Sequence, residues 1–370
     1  MYKILVFGMT ENPGGVESVI INYYRAIDKE RFQFDFLCNS YEKVAYEDEL
    51  ISCGAKMVHF PARSQDAVKY KKELKEFFRE HAYEYEAIWV NVCSLANIDY
   101  LKLAKKYGIK KRIIHSHNSQ NMDSRLRGIL HEFNKRVLNK YATDFWACSH
   151  EAADWFFKSG LKEKSVQIHN AINLSKMTFV IEKREQYRKE LGWQDNFIIG
   201  NIGRLHFQKN QNFLLEVFAE IESVMIDARL VIIGQGEDEI QLKEKAEQLG
   251  VTEKVYFAGL QYDISGWLSA LDFFLFPSVF EGLPLVSLEA QANGVIMLAS
   301  ETAVPKEARI NKNFEILDLE KGIKAWAEKV IEMREYTHRI ECKHIKANFI
   351  DMGYDIDTEV KKLETLFLDS

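Results

Sequence analysis

The chain has 370 residues, 47% of them hydrophobic and 28% charged, a balance that fits about two globular domains and excludes a disordered or coiled-coil chain. A net charge of −6 gives no global attraction to nucleic acid, and no run approaches the roughly 18 apolar residues that a membrane span needs. The cysteines Cys38, Cys53, Cys93, Cys148 and Cys342 stand singly without Cys-x-x-Cys spacing, the pattern of reduced thiols in a cytoplasmic protein rather than of a disulfide frame or zinc site.

In chain order, Ile4 to Phe7 is an apolar run too short for a signal-peptide core and reads as a strand. Gly8 to Gly15, GMTENPGG, follows it, and Val16, Val19, Ile20, Tyr23 and Ile27 then form one stripe of a helix. Glycines let backbone approach a ligand, and a helix start favours an anion. The loop is neither G-x-G-x-x-G nor a P-loop, so phosphate binding and a plain turn into a helix are equally open. Strands are expected at Gln33 to Leu37, Ala87 to Val92, Arg112 to Ser116 and Phe145 to Cys148. At the end of the 112–116 run stands His115-Ser116-His117-Asn118; if the strand reaches that far, both histidines share a face. They could bind a metal, but nothing within the segment completes a site. Simple satisfaction by polar neighbours is the commoner fate of such a histidine, and the strand-end location favours His117 as cleft-facing.

Ser124 to Lys140 mixes Arg125, Arg127, Lys135, Arg136 and Lys140 with Leu126, Ile129, Leu130, Phe133 and Val137. Such a segment is either an ordinary solvated helix or one that lies on an anionic membrane, and Lys105, Lys106, Lys110, Lys111 and Arg112 add to its charge. The charged, apolar-poor stretch Ile181 to Glu190 is the expected break between two domains.

The alternation then starts again. Strands are expected at Phe197 to Ile202, Leu230 to Ile233, Val255 to Ala258, Phe273 to Phe276 and Val295 to Ala299. Helices are expected at Asn212 to Ile221, Gln241 to Leu249 and Leu285 to Ala292. Strand and helix in alternation predict parallel sheets covered on both faces, with ligands beyond the carboxyl ends of the strands. After the 197–202 strand, Gly203-Arg204-Leu-His206-Phe-Gln-Lys209-Asn210 puts two cations before a helix, a diphosphate site or a solvated basic loop. After the 273–276 strand comes PSVFEGLPLVSLEA, with Pro284 suited to a first helical turn and Glu289 on the face of Leu285, Leu288 and Ala292. A carboxylate on an apolar stripe needs a partner; sugar hydroxyls, a backbone amide or a cation would each serve. The final amphipathic segment, Val360 to Leu368, is not placed by periodicity.

Taken together these loops resemble the retaining family-4 glycosyltransferases of GT-B fold, especially bacterial capsule and exopolysaccharide members. The resemblance starts at Gly14-Gly15-Val16-Glu17 and spans most of the chain; Glu281 and Glu289 match the family's E-x7-E inside PSVFEGLPLVSLEAQANG, with GRLHFQKN at 203–210 and HNAIN at 169–173 beside it. It implies an α/β fold of two Rossmann-like domains facing across a cleft. Residues 1–180 would form the acceptor-side domain and 190–350 the donor domain, with 351–370 a helical segment returning to the first. It places Arg204 and Lys209 on the donor diphosphate, with backbone at Gly14 and Gly15 closing from the other domain. Glu281 and the stretch Gly282, Leu283, Pro284 and Leu285 would meet the donor sugar, Glu289 the ribose hydroxyls, and His117 the transferred sugar. Loops around Gly234 and Gly259 would flank the base.

The implied activity is hexosyl transfer from a nucleotide sugar, UDP-linked by family habit, to a glycan acceptor that is lipid-linked, with retention of configuration. The protein would be cytoplasmic, at the inner face of the plasma membrane, with no bound metal or other cofactor and no nucleic acid partner. An epimerase of the same fold, converting the donor without an acceptor, and a non-catalytic nucleotide-sugar-binding partner are the rival readings. The latter is expected to have lost part of the charge set, and none is lost here. A nicotinamide oxidoreductase is discarded for want of G-x-G-x-x-G.

Overall fold

The structure, a computed structural model, describes residues 1–118, 125–281, 283–336 and 338–369. The chain divides into two compact units: Met1–Ala171 together with the segment from Ile356 onward, and Ile172–Asp355.

Among the described residues the first unit holds β1 (Tyr2–Phe7), β2 (Phe32–Cys38), β3 (Met57–His59), β4 (Ala87–Val92), β5 (Lys111–Ser116), β6 (Asp144–Ala147) and β7 (Val166–Gln167). All pair in parallel in the order β3-β2-β1-β4-β5-β6-β7. Helices cover both faces, so the central strands are buried on both sides and read as continuous Ile, Leu, Val and Trp rather than as alternation. The order reverses between β1 and β4, and the register sets Phe7 beside Val90 and Asn91 beside His115. Strand-end residues of β1, β4 and β5 therefore lie side by side at the switch point, where such sheets bind ligands.

Helix Ile356–Leu368 belongs to this unit. Glu364 Oε1 accepts from Asp28 N at 2.9 Å, and Lys362 Nζ donates to Gln167 O at 2.8 Å. Phe367 is wholly buried, its ring 5.5 to 6.2 Å from those of Trp146, Trp89, Phe34 and Phe32.

The second unit holds β8 (Phe197–Ile202), β9 (Ala228–Ile233), β10 (Val255–Gly259), β11 (Phe273–Phe276), β12 (Ile296–Ser300) and β13 (Phe314–Leu317), parallel in the order β10-β9-β8-β11-β12-β13. Its switch point lies between β8 and β11, which pair directly. Among its core residues are Leu214, Leu215 and Phe218 of helix Gln211–Val224, Ile199 and Leu275 of the sheet, and Trp326.

The sequence reading lacked β3, β7 and β13, edge strands of three, two and four residues that are mostly half-buried and so carry no apolar run. The 181–190 stretch is no linker: Ile181–Leu191 is a helix of the second unit, and the chain leaves the first unit at Ala171. Its charge is structural. Arg184 donates to the carbonyls of Ser269, Ala270 and Leu271, and Arg188 Nε to that of Ala270, satisfying the open C-terminal end of helix Ile264–Ala270.

Candidate active site

The loops after β8 and β11 meet in the second unit. Gly203 lets the side chain of Lys209 lie close, since a Cβ there would sit 3.0 Å from Lys209 Cε. Asn210, in the left-handed region at φ 57°, turns the chain into helix Gln211–Val224, and its Nδ2 donates to Pro277 O at 3.2 Å. Lys209 Nζ then stands over the Phe276 ring, 5.0 Å from its centroid, and 2.6 Å from Glu281 Oε1. Both side chains are largely buried, at 15% and 10% exposed. Gln208 stitches the two loops further: its Nε2 donates to Phe280 O at 2.9 Å and to Glu281 Oε2 at 3.2 Å, and its carbonyl accepts from Val279 N at 2.8 Å. The end of β12 latches the same loop through Thr302 Oγ1, which donates to Val279 O at 2.5 Å, and through a short bond from Ser300 to Ser278 O.

Arg204 does not join Lys209. It turns outward to Glu237, with Nη2 to Oε2 at 3.0 Å, and stays mostly exposed, while His206 lies 3.3 Å from the other oxygen of Glu237. The two cations expected to straddle one helix start are thus divided, Lys209 inward and Arg204 at the rim. Gly234, with φ 138°, is required by close packing, because a Cβ would fall 2.0 Å from Gly203 O. Gly259, at φ 65°, is a turn residue with open space where a Cβ would stand, and its carbonyl accepts from Gly234 N at 2.9 Å.

Gly282 lies outside the described residues. Leu283, Pro284 and Leu285 are buried, and Pro284 stands at the N-cap, one position before the first turn of helix Leu285–Asn293. Pro284 has no side-chain acceptor with which to cap this helix start. The helix is buried almost all round, leaving only Val286 and Glu289, three residues apart, partly exposed. Glu289 keeps the helix face of Leu285, Leu288 and Ala292 that the spacing predicts, but is less buried than they are. It makes no hydrogen bond or ion pair with a described residue, and desolvation pushes its carboxyl up to about 7.

In the first unit, Gly14 is the N-cap of helix Gly15–Ala26 and Glu17 closes a capping box, its Oε2 accepting from Gly14 N at 3.1 Å and its Oε1 from Thr10 Oγ1 at 2.5 Å. Burial raises the Glu17 carboxyl, against the lowering effect of these bonds. A Cβ at Gly15 would meet nothing within 4 Å. β5 ends at Ser116, yet His115 and His117 do share a face, with ring centroids 4.1 Å apart. His115 is wholly buried and His117 partly exposed. Both rings approach the side chain of Asn91, a residue that the sequence reading passed over because a lone amide at a strand end gives no signal. Among the described residues no group of three or more His, Cys, Asp or Glu gathers as a metal site, and no cysteine is in a disulfide.

Helix Arg125–Val137 is amphipathic in an inverted sense; Ser124 lies outside the described residues. Its buried residues are His131, whose Nδ1 accepts from Leu95 N at 3.1 Å, and Asn134, whose Nδ2 donates to Leu95 O at 2.7 Å. Leu126, Ile129 and Phe133 face out, 67%, 66% and 62% exposed. Of the other basic residues, Lys111 pairs with Asp144 at 3.2 Å and Arg112 donates to the carbonyls of Tyr141, Ile109 and Lys110, so these two serve the fold rather than a surface patch. Among the described residues no helix is long and apolar enough to cross a membrane.

Comparison with known proteins adds the following. Residues 13–176 match the family described as Glycosyltransferase Family 4, and residues 183–348 match Glycosyl transferases group 1. The chain is 28% identical over 365 residues to the Bacillus subtilis protein carrying the name glycosyltransferase EpsF, covering 96% of this chain and 94% of that one. It is 22% identical over its whole length to the Staphylococcus aureus capsular polysaccharide biosynthesis glycosyltransferase CapH, covering 99% of that protein. The crystal structure of Anabaena Alr3699/HepE in complex with UDP and glucose superposes with a TM-score of 0.80 at 19% identity, over 99% of both chains.

Proposed function

The chain belongs to the family-4 glycosyltransferases of GT-B fold, of the polysaccharide and capsule biosynthesis type, and from that membership we propose that it moves a hexosyl group from a UDP-sugar to a growing glycan with retention of configuration. The observation that carries the reading is the Lys209–Glu281 pair at the switch point of β8 and β11, followed in the chain by a helix whose N-cap Pro284 supplies no side-chain cap and whose Glu289 has no partner among the described residues. UDP in the HepE structure agrees with the choice of base.

In this reading the diphosphate competes with Glu281 for Lys209. The cation then offsets charge on the departing diphosphate while Glu281 turns to the sugar hydroxyls. Arg204, exposed at the rim, closes on the same diphosphate by exchanging Glu237 for phosphate oxygens. Glu289 gains in the ribose hydroxyls the partners it lacks. The bond from anomeric carbon to diphosphate breaks as the acceptor hydroxyl attacks on the same face, and its proton passes to the leaving diphosphate; no protein nucleophile is needed. The protein's own cations take the charge, so the step runs without a bound metal. The open Gly15 backbone offers further N–H groups to the donor, and neutral His117 meets the transferred sugar.

The acceptor is lipid-linked, and the protein rests at the cytoplasmic membrane face on helix Arg125–Val137. Support comes from its outward Leu126, Ile129 and Phe133 flanked by Arg125, Arg127 and Arg136. The experiment that tests the function is calorimetry of nucleoside diphosphates and their sugar conjugates against the purified protein in EDTA. Tight binding of UDP that Lys209→Ala weakens about a hundredfold is expected. Binding to none of them by folded protein overturns the reading. Conversion of the bound sugar without acceptor would identify the epimerase instead.

A further inference from the structure

Asn91, His115 and His117 form one hydrogen-bonded unit at the carboxyl ends of β4 and β5, tied to the end of β1 through Phe7 O. Asn91 is 2% exposed, and its Nδ2 donates to Phe7 O at 3.3 Å, which fixes the amide's orientation and leaves Oδ1 as the acceptor. Two ring nitrogens approach that oxygen, His115 Nδ1 at 3.1 Å and His117 Nε2 at 2.9 Å. A carboxamide oxygen only accepts, so both nitrogens carry the proton. The other nitrogens, His115 Nε2 and His117 Nδ1, are buried with no hydrogen-bond partner among the described residues.

We propose that Asn91 is a positioning residue for sugar transfer: it holds His117 as the neutral Nε2–H tautomer, so that Nδ1 offers its lone pair to a hydroxyl of the donor sugar. This rests on the reading that His117 lies beside that sugar.

Three observations bear on it. First, nothing charged faces either ring among the described residues. His115 stacks on Trp89 at 5.9 Å and meets Trp146 edge-on at 6.2 Å, and its remaining ring neighbour is His117. Burial in these surroundings pushes His117 down to about 3, and burial together with the charge of a protonated His117 pushes His115 well below its usual value. Second, the partner is an amide. A carboxylate at position 91 would also accept from both rings but would draw them into the cationic form, in which Nδ1 becomes a donor. An uncharged acceptor orients without charging. Third, the same amide seats the glycine-rich loop. Gly8, at φ 141°, lies so close that a Cβ would stand 2.8 Å from Asn91 Cβ. One residue thus fixes both the start of that loop and the histidine.

The test is nitrogen-15 NMR of the histidine rings in the full-length protein, with transfer measured in parallel on the nucleotide sugar that calorimetry selects. The wild-type spectrum is expected to show His117 protonated on Nε2, His115 on Nδ1, and neither titrating down to pH 5. In Asn91→Ala, His117 becomes a tautomer mixture and kcat falls about tenfold at little change in KM, the scale of one hydrogen bond in a transition state. In Asn91→Asp both the ring titration and an acid limb of the rate profile move up together towards neutral pH, while the wild-type profile stays flat. A wild-type His117 protonated on Nδ1, or titrating near 6.5, overturns the proposal even if neither variant folds. Cationic rings in Asn91→Asp with an unchanged rate profile overturn the link to transfer while leaving the tautomer standing. A protein with the expected tautomers that turns over no nucleotide sugar overturns the donor-site reading instead.

Discussion

Lys209 Nζ lies 2.6 Å from Glu281 Oε1, a cation from the loop after β8 paired with a carboxylate from the loop after β11. The pair is formed because the strand order reverses between these two strands and leaves their loops adjacent. It keeps two mostly buried charges compensated in the absence of ligand, and it is an arrangement that a diphosphate can take over.

Removing either partner breaks a mostly buried ion pair. Lys209→Met and Glu281→Gln are each expected to lower stability by about 3 kcal/mol, and the double variant to recover most of that loss. Transfer should fall at least about a hundredfold in all three. Thermal unfolding and turnover measured on the same samples separate the effects. Full activity in Lys209→Met would remove the residue from the diphosphate site.

Glu289 gives a stability signature with a defined sign. Its carboxyl titrates at about 7 when folded against about 4.3 in an unfolded chain, so folding favours the protonated form. Between those values stability drops as pH rises, and above about 7 the penalty is complete. Glu289→Gln should therefore unfold at higher temperature than wild type at pH 8 and at the same temperature near pH 4, while binding UDP more weakly. A melting difference that is independent of pH would remove the buried carboxylate as its cause.

Two glycines that look alike in sequence should behave oppositely. Gly234→Ala brings a Cβ within 2.0 Å of Gly203 O at φ 138° and is expected to cost at least about 2 kcal/mol. Gly15→Ala meets nothing within 4 Å, so stability should change by less than about 0.5 kcal/mol while KM for the donor rises. An unchanged KM would place Gly15 away from the donor.

The outward face of helix Arg125–Val137 can be tested on vesicles. Leu126→Gln, Ile129→Gln and Phe133→Gln together should leave the melting temperature nearly unchanged. Partitioning to phosphatidylglycerol-containing vesicles should drop about a hundredfold, from the loss of apolar surface to bury. Wild-type binding should also weaken as salt rises, because the flanking arginines act through screened charge. Equal binding by the triple variant would assign the contact elsewhere.

Much of this was legible in the sequence because central strands such as Ala87–Val92 and Phe273–Phe276 are apolar runs bounded by turns, and their loops carry the chemistry. Edge strands such as Val166–Gln167 are too short and too exposed to leave a pattern. The 181–191 helix was misread because its burial is through arginine contacts, which periodicity counts as solvent-facing. Helix Arg125–Val137 reversed the usual rule, turning His131 and Asn134 inward. At the site the sequence supplied Lys209, Glu281 and Glu289, but which charges pair, and that Arg204 answers to Glu237, depends on loop geometry. Asn91 was invisible for a related reason: its significance comes from two histidines at the end of a neighbouring strand.

Helix Ile356–Leu368 completes the core of a unit whose other residues all precede Ile172. On the ribosome, the strands around Trp89 and Trp146 emerge long before Phe367 exists to cover them, whereas the second unit is one uninterrupted stretch. The unit made first therefore gains its last core helix only after the unit made second has been synthesised, which lengthens the interval before its aromatic surface is fully covered.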